Sequence, residues 1–142
     1  MSKAVIALRG VGDSGKSTTI KMVYSLLSEE CKLQILEEYD GVVDQWVIFK
    51  LNGKKVGIES QGDPGSRLER TLRHFKDEGC DIIVCATRTR GKTNEWVTAL
   101  DPPYSILWEQ KTRADTPFGH ARCNKSDARK ITDKVKANVG LI

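Results

Sequence analysis

Short apolar runs alternate along the chain with segments in which apolar residues recur every three or four positions, and that rhythm predicts an α/β protein. Residues 3–8 form a compact apolar run that stops at Arg9-Gly10, the pattern of a buried strand. Residues 16–30 then place Ile20, Val23, Leu26 and Leu27 on one helical face. From Asp44 the period shortens to two: Trp46 and Ile48 alternate with polar positions, as do Val56 and Ile58. Asn52-Gly53 lies between these runs, and both residue types accept the positive φ of a tight turn, so an antiparallel pair is expected over residues 45–60.

Beyond a turn at Gly62-Asp63-Pro64-Gly65, Leu68, Leu72 and Phe75 return to helical spacing and Gly79 marks the stop. "CDIIVCAT", residues 80–87, predicts a strand buried on both faces. A short helix is expected over residues 93–100, ended by Pro102-Pro103, and "YSILWE" from Tyr104 predicts a further strand. A polar loop with Pro117 and Gly119 follows. Residues 126–139 close the chain as a helix capped by Ser126 or Asn124, with Ala128, Ile131, Val135 and Val139 turned inward. Strands alternating with helices imply a three-layer fold, a mostly parallel sheet covered on both faces with one antiparallel hairpin strand. No repeat, low-complexity tract or linker divides residues 1–142, so a single domain is expected.

Composition narrows the class without changing it. The chain is 39% hydrophobic and 30% charged, which fits a folded domain and argues against disorder. No apolar run approaches the roughly twenty residues of a membrane span, and Arg9-Gly10 interrupts the first one too early for a signal peptide. Cys31, Cys80, Cys85 and Cys123 include no C-x-x-C pair and are expected as reduced thiols, which places the protein in the cytoplasm. His74 and His120 are isolated in sequence, so zinc is not expected. The net charge of +4 is unevenly spread: residues 29–44 are acidic, while basic side chains gather at residues 67–76 and 88–92. That asymmetry suits an anionic ligand.

The chemistry begins at Arg9 to Thr19, "RGVGDSGKSTT". Gly10-x-x-x-x-Gly15-Lys16-Ser17 fits the phosphate-binding pattern G-x-x-x-x-G-K-[ST], and it sits between a predicted strand and a predicted helix, the context that pattern requires. Backbone N–H groups of such a turn point at a bound phosphate, and the helix N-terminus adds partial positive charge. Gly10, Gly12, Asp13, Ser14, Gly15, Lys16, Ser17 and Thr18 are therefore the candidate nucleotide-binding set. Through GVGDSGKS the chain resembles the P-loop nucleoside triphosphatase superfamily. The resemblance implies a three-layer α/β fold, Mg²⁺–nucleoside triphosphate binding and phosphoryl-transfer chemistry. Lys16 would reach the β- and γ-phosphates, Ser17 would coordinate Mg²⁺, and Thr18 would touch the α-phosphate.

A site of that kind needs an acid to hold magnesium at the end of a strand beside the phosphate turn. Glu59, ending the run Val56-Gly57-Ile58, is the first candidate and Asp63 the second; Asp81 lies at the wrong end of its strand. The order of turn, helix, antiparallel pair and E-x-x-G (Glu59 to Gly62) is similar to Ras-type GTPases, which carry D-x-x-G there, though residues 31–44 hold no switch threonine. Asn124-Lys125-Ser126-Asp127 matches the N-K-x-D that reads guanine in that group. Here it follows a polar loop and leads into a helix, so a helix cap is the simpler reading and ATP is favoured over GTP.

"ATRTRGKT" leaves the C-terminal end of a central strand, the edge where open α/β sheets bind ligands. Arg88, Arg90 and Lys92 are placed to clamp a γ-phosphate, a phosphorylated acceptor or a nucleic-acid backbone. Arg67 and Arg70 either face the site or pair with Glu69 and Asp77, and the three tryptophans are assigned to packing. The reading that follows is a Mg²⁺-dependent NTPase with Lys16, Glu59, Asp63, Arg88 and Arg90 in catalytic roles, Ser17, Glu59 and Asp63 at the metal, and Gln61 available to orient water. The alternatives are a small phosphotransferase acting on a nucleoside, nucleotide or polynucleotide, and a non-catalytic nucleotide-sensing module.

Overall fold

The computed structural model describes residues 3–12, 14–40, 45–62 and 64–142. Six strands and four helices follow one another as β1 (Lys3–Arg9), α1 (Lys16–Glu30), β2 (Gln34–Asp40), β3 (Gln45–Leu51), β4 (Lys54–Glu59), α2 (Leu68–Asp77), β5 (Ile82–Thr87), α3 (Lys92–Thr98), β6 (Tyr104–Gln110) and α4 (Pro117–Asn138). The strands form one sheet in the order β2-β3-β4-β5-β1-β6. The ladders β4/β5, β5/β1 and β1/β6 are parallel, whereas β3 runs antiparallel to both β2 and β4. The sheet is therefore mixed, and its antiparallel part is a three-stranded meander larger than the single hairpin expected.

Each face of the sheet has its own core. On one, Ile6 and Leu8 of β1, Ile58 of β4 and Val84 of β5 meet Ile20, Val23 and Leu27 of α1 and Ile131 and Val135 of α4. On the other, Val5, Ala7, Ile83 and Cys85 meet Leu68, Leu72 and Phe75 of α2 and Val97 of α3. Alternation along β1 and β5 assigns successive side chains to opposite layers, so both central strands read as unbroken apolar runs. Burial pushes the Cys80 and Cys85 thiols up to about 12, which keeps both protonated. Among the described helices none is long and apolar enough to cross a membrane.

Two elements differ from the sequence pattern for identifiable reasons. β2 was not anticipated because its register shifts between Ile35 and Glu37, a bulge that breaks the two-residue period. Helix α4 begins at Pro117, well before Ser126: Thr116 caps it by accepting from the Gly119 amide at 3.0 Å, and proline is favoured in a first helical turn. Asp81, just before β5, extends the β4/β5 pairing by accepting from the Lys55 amide at 2.9 Å.

Helices α1 and α4 are also tied at the surface. Arg129 grips Glu30 with two N–H···O bonds of 2.6 and 2.8 Å, and Lys136 reaches the same carboxylate. These hydrogen bonds, that from Arg129 first, hold the Glu30 carboxyl at about 2, against an ordinary 4.5. A carboxyl lowered on folding stabilises the fold above its unfolded value, and that contribution disappears as pH falls from about 4.5 through about 2. The urea midpoint of Glu30→Gln should therefore lie below that of the wild type near neutral pH, by a small margin for an exposed pair, and the gap should close in acid. A gap independent of pH would show that the charge is not what matters.

Candidate phosphate-binding site

The site is built where β1 ends. The Gly10 amide donates to Thr87 O at 3.0 Å and the Lys111 amide to Arg9 O at 2.8 Å, so β5 and the segment after β6 hold both sides of the turn's first residue. Space at Gly10 is closed to a side chain: a Cβ would lie 2.8 Å from Lys111 Cβ and 3.0 Å from Ser14 Oγ. Ser14 in turn donates to Val11 O at 2.7 Å, which curls the turn on itself. Gly15 ends it with φ +90°, a left-handed conformation that glycine reaches without strain, and a Cβ there would lie 2.5 Å from Asn124 Oδ1.

Helix α1 starts at Lys16 with no described side chain capping it and no acid in its first turn. Its first N–H groups and its dipole thus face the turn, the arrangement that attracts an anion. Lys16 is 6% exposed. Its Nζ folds back over the turn and donates to Gly10 O at 2.9 Å and Val11 O at 2.8 Å. Ser17 follows, half-buried, with Thr18 exposed beside it. Thr19 points its hydroxyl back to Gly15 O at 2.8 Å and fixes the junction between turn and helix.

Arg88 reaches this site, as the basic loop suggested. A Cβ on Gly12 would lie 3.0 Å from its guanidinium carbon, so the planar cation rests directly against the turn. The loop that carries it is clipped to α3: the Arg88 amide donates to Thr93 Oγ1 at 3.0 Å, and Asn94 Nδ2 donates to Arg88 O at 2.9 Å. Arg90 is exposed and lines a separate groove with Arg9 and Trp108. Lys92 opens α3, exposed.

The acid expected beside the turn is placed differently. β5 lies between β1 and β4, so Glu59 ends a strand one position removed from the phosphate turn. Local periodicity carries no information about strand order, which is why adjacency was misassigned. Glu59 is fully buried and accepts from Thr71 Oγ1 of α2 at 2.9 Å, on the sheet face opposite α1. It also contributes to raising the neighbouring Cys85 thiol, after burial. Gln61 follows half-buried, and the backbone packs so closely at Gly62 that a Cβ would lie 2.6 Å from Ala86 O. Asp13 and Asp63 lie outside the described residues.

Arg67 stacks over Tyr39, its guanidinium carbon 3.7 Å from the ring centroid, and Arg70 lines the same side of α2 with His74.

Sequence reasoning missed the partner that α4 supplies. Asn124-Lys125-Ser126-Asp127 lies inside α4 rather than at its cap. Asp127 Oδ2 accepts from Lys111 Nζ at 3.0 Å and from the amide and hydroxyl of Thr112, each at 2.9 Å. Both charged side chains of this pair are almost fully buried, 1% and 3% exposed. Asn124, one turn earlier, lies against Gly15, its Oδ1 buried without a hydrogen-bond partner among the described residues. The cation was hidden because Lys111 follows a strand within an ordinary polar loop, and nothing local marks it as buried. No protein-family model, curated protein or solved structure was found to match the chain.

Proposed function

We propose that the β1–α1 turn binds the triphosphate of a nucleotide and that the protein, an Mg²⁺-dependent NTPase of P-loop type, moves the γ-phosphoryl group to an acceptor oxygen, water in the simplest case. The observation that carries this is the conjunction at one point of a left-handed Gly15, an α1 start that no described side chain caps and the Lys16 ammonium folded over the turn. Each element favours an anion, and together they suit a chain of phosphates better than a single carboxylate. Entry of the phosphates would draw Lys16 Nζ away from the carbonyls of Gly10 and Val11. Arg88, lying against Gly12, adds a second cation where charge builds during transfer, the role of an internal arginine finger.

The residues present fit magnesium in part: Ser17, in the first turn of α1, offers a hydroxyl next to the phosphates. Glu59, buried beneath α2 one strand away and fixed by Thr71, is not placed to share the ion. Bound there, the ion would neutralise charge on the β- and γ-phosphate oxygens. Adenine is favoured over guanine because Asp127, the carboxylate that would read guanine, already accepts three hydrogen bonds from Lys111 and Thr112.

Calorimetric titration tests the reading directly. ATP should bind within the about 1 μM to 1 mM span usual for enzyme substrates, more tightly with Mg²⁺ than without and at least as tightly as GTP. Absence of binding by either nucleotide would remove the proposal.

A further inference from the structure

The basic loop sends its two arginines in different directions. Arg88 lies against Gly12 in the phosphate turn, while Arg90 lines an open groove of about 610 Å³ on the face that carries α3. Arg9, at the end of β1, lines the same groove. Its guanidinium carbon sits 3.9 Å from the centroid of the Trp108 ring, which holds the group flat. Its Nε is buried with no hydrogen-bond partner among the described residues, an unusual state for a charged donor. Asn94 and Thr98 add polar groups from α3, and Glu95 is the one carboxylate among the lining residues described.

Arg9 and Gly10 are consecutive, so a lining residue of the groove and the first residue of the phosphate turn adjoin at the C-terminal end of β1. The groove has the size of a small-metabolite site, and two arginine forks match the oxygens of a phosphate monoester, which carries between one and two negative charges near neutral pH. We propose that this groove is the acceptor site: it binds a small organic phosphate monoester, whose phosphate oxygen receives the γ-phosphoryl group. The proposal rests on the phosphate turn holding a nucleoside triphosphate.

The transfer balances without a further reactant. An unprotonated oxygen of the acceptor phosphate attacks the γ-phosphorus and a new P–O bond forms. The bond from that phosphorus to the β–γ bridging oxygen breaks, and its electron pair leaves with the nucleoside diphosphate. No proton has to be removed from such an acceptor, so the step needs no general base. This distinguishes a phosphate acceptor from a hydroxyl one, for which a base within hydrogen-bond reach is required.

The experiment supplies Mg²⁺ and γ-labelled ATP together with each of the common nucleoside monophosphates and, separately, with glucose 6-phosphate. Label should pass to at least one acceptor, and which arm it appears in tells a nucleotide from a sugar phosphate. Arg90→Ala, at an exposed position that does not endanger folding, should raise the KM for that acceptor at least tenfold and by more than it raises the KM for ATP. Turnover of ATP with label released only as inorganic phosphate in every arm would overturn the groove's role and leave the phosphate turn standing. So would transfer whose acceptor KM is unchanged in Arg90→Ala. Failure of ATP to bind at all would bring both readings down together.

Discussion

Replacing Lys16 by alanine should lower ATP turnover by at least about a hundredfold, the usual cost of removing one preorganised charge from a transition state. The fold should survive. Among the described residues Lys16 Nζ donates to Gly10 O and Val11 O, and Val11 O keeps a second donor in Ser14 Oγ. Burying an ammonium at 6% exposure is itself costly, so its removal returns part of what those bonds contribute. Lys16→Met separates charge from packing, since the apolar stem that passes Gly10 is retained. Both variants should lose turnover together while their urea midpoints stay close to the wild type. Unchanged turnover in purified Lys16→Ala would refute the assignment of the turn to phosphate binding.

The largest effect on stability is expected at Asp127. Its carboxylate is the acid paired with Lys111 and also takes two bonds from Thr112, all in a region where the two charged side chains are 1% and 3% exposed. Asp127→Ala leaves a buried ammonium with only Thr112 O as its described acceptor. Breaking one side of such a pair typically costs about 3–5 kcal/mol, a large share of the about 5–15 kcal/mol that holds a domain together. Equilibrium urea unfolding reads this directly. Joining Asp127→Leu to Lys111→Met should recover much of the loss, because two apolar side chains remove the stranded charge rather than the interaction alone. Equal instability of the single and double variants would mean that the pair contributes through shape and not through charge. Since Lys111 Cβ closes the space over Gly10, the single variant should also loosen the phosphate turn.

The turn itself was legible because every part of its signal is local. An unbroken apolar run, a fixed glycine spacing and a run of period near four lie within thirty residues, and no distant contact is needed to recognise them. Lys16 and Gly15 were singled out from residue type alone, and they meet at the junction of the turn and α1. Arg88 was singled out by a weaker rule, its place at the C-terminal end of a central strand, and β5 does neighbour β1.

What escaped was set by tertiary contact. Glu59 was placed beside the turn by analogy of order along the chain, yet order in the sheet inserts β5 between. Asp127 looked like part of a base-reading or capping tetrapeptide because its true partner, Lys111, is chosen by the docking of α4 onto the end of β6. Arg9 looked like the polar residue that ends a strand. Only the packing of β6 alongside β1 puts Trp108 beneath its guanidinium.

The strand order also governs how the chain can assemble. β2, β3 and β4 are consecutive and can pair as soon as they emerge from a ribosome, whereas β1 waits for both of its neighbours: Ala4 pairs with Ile82, and Lys3 with Tyr104. Until β5 and β6 have been synthesised, β1 is an apolar ribbon without either of its sheet neighbours, a hazard that long-range parallel pairing always carries. The strand that leads into the proposed phosphate turn is thus made before both of its neighbours and paired only after them.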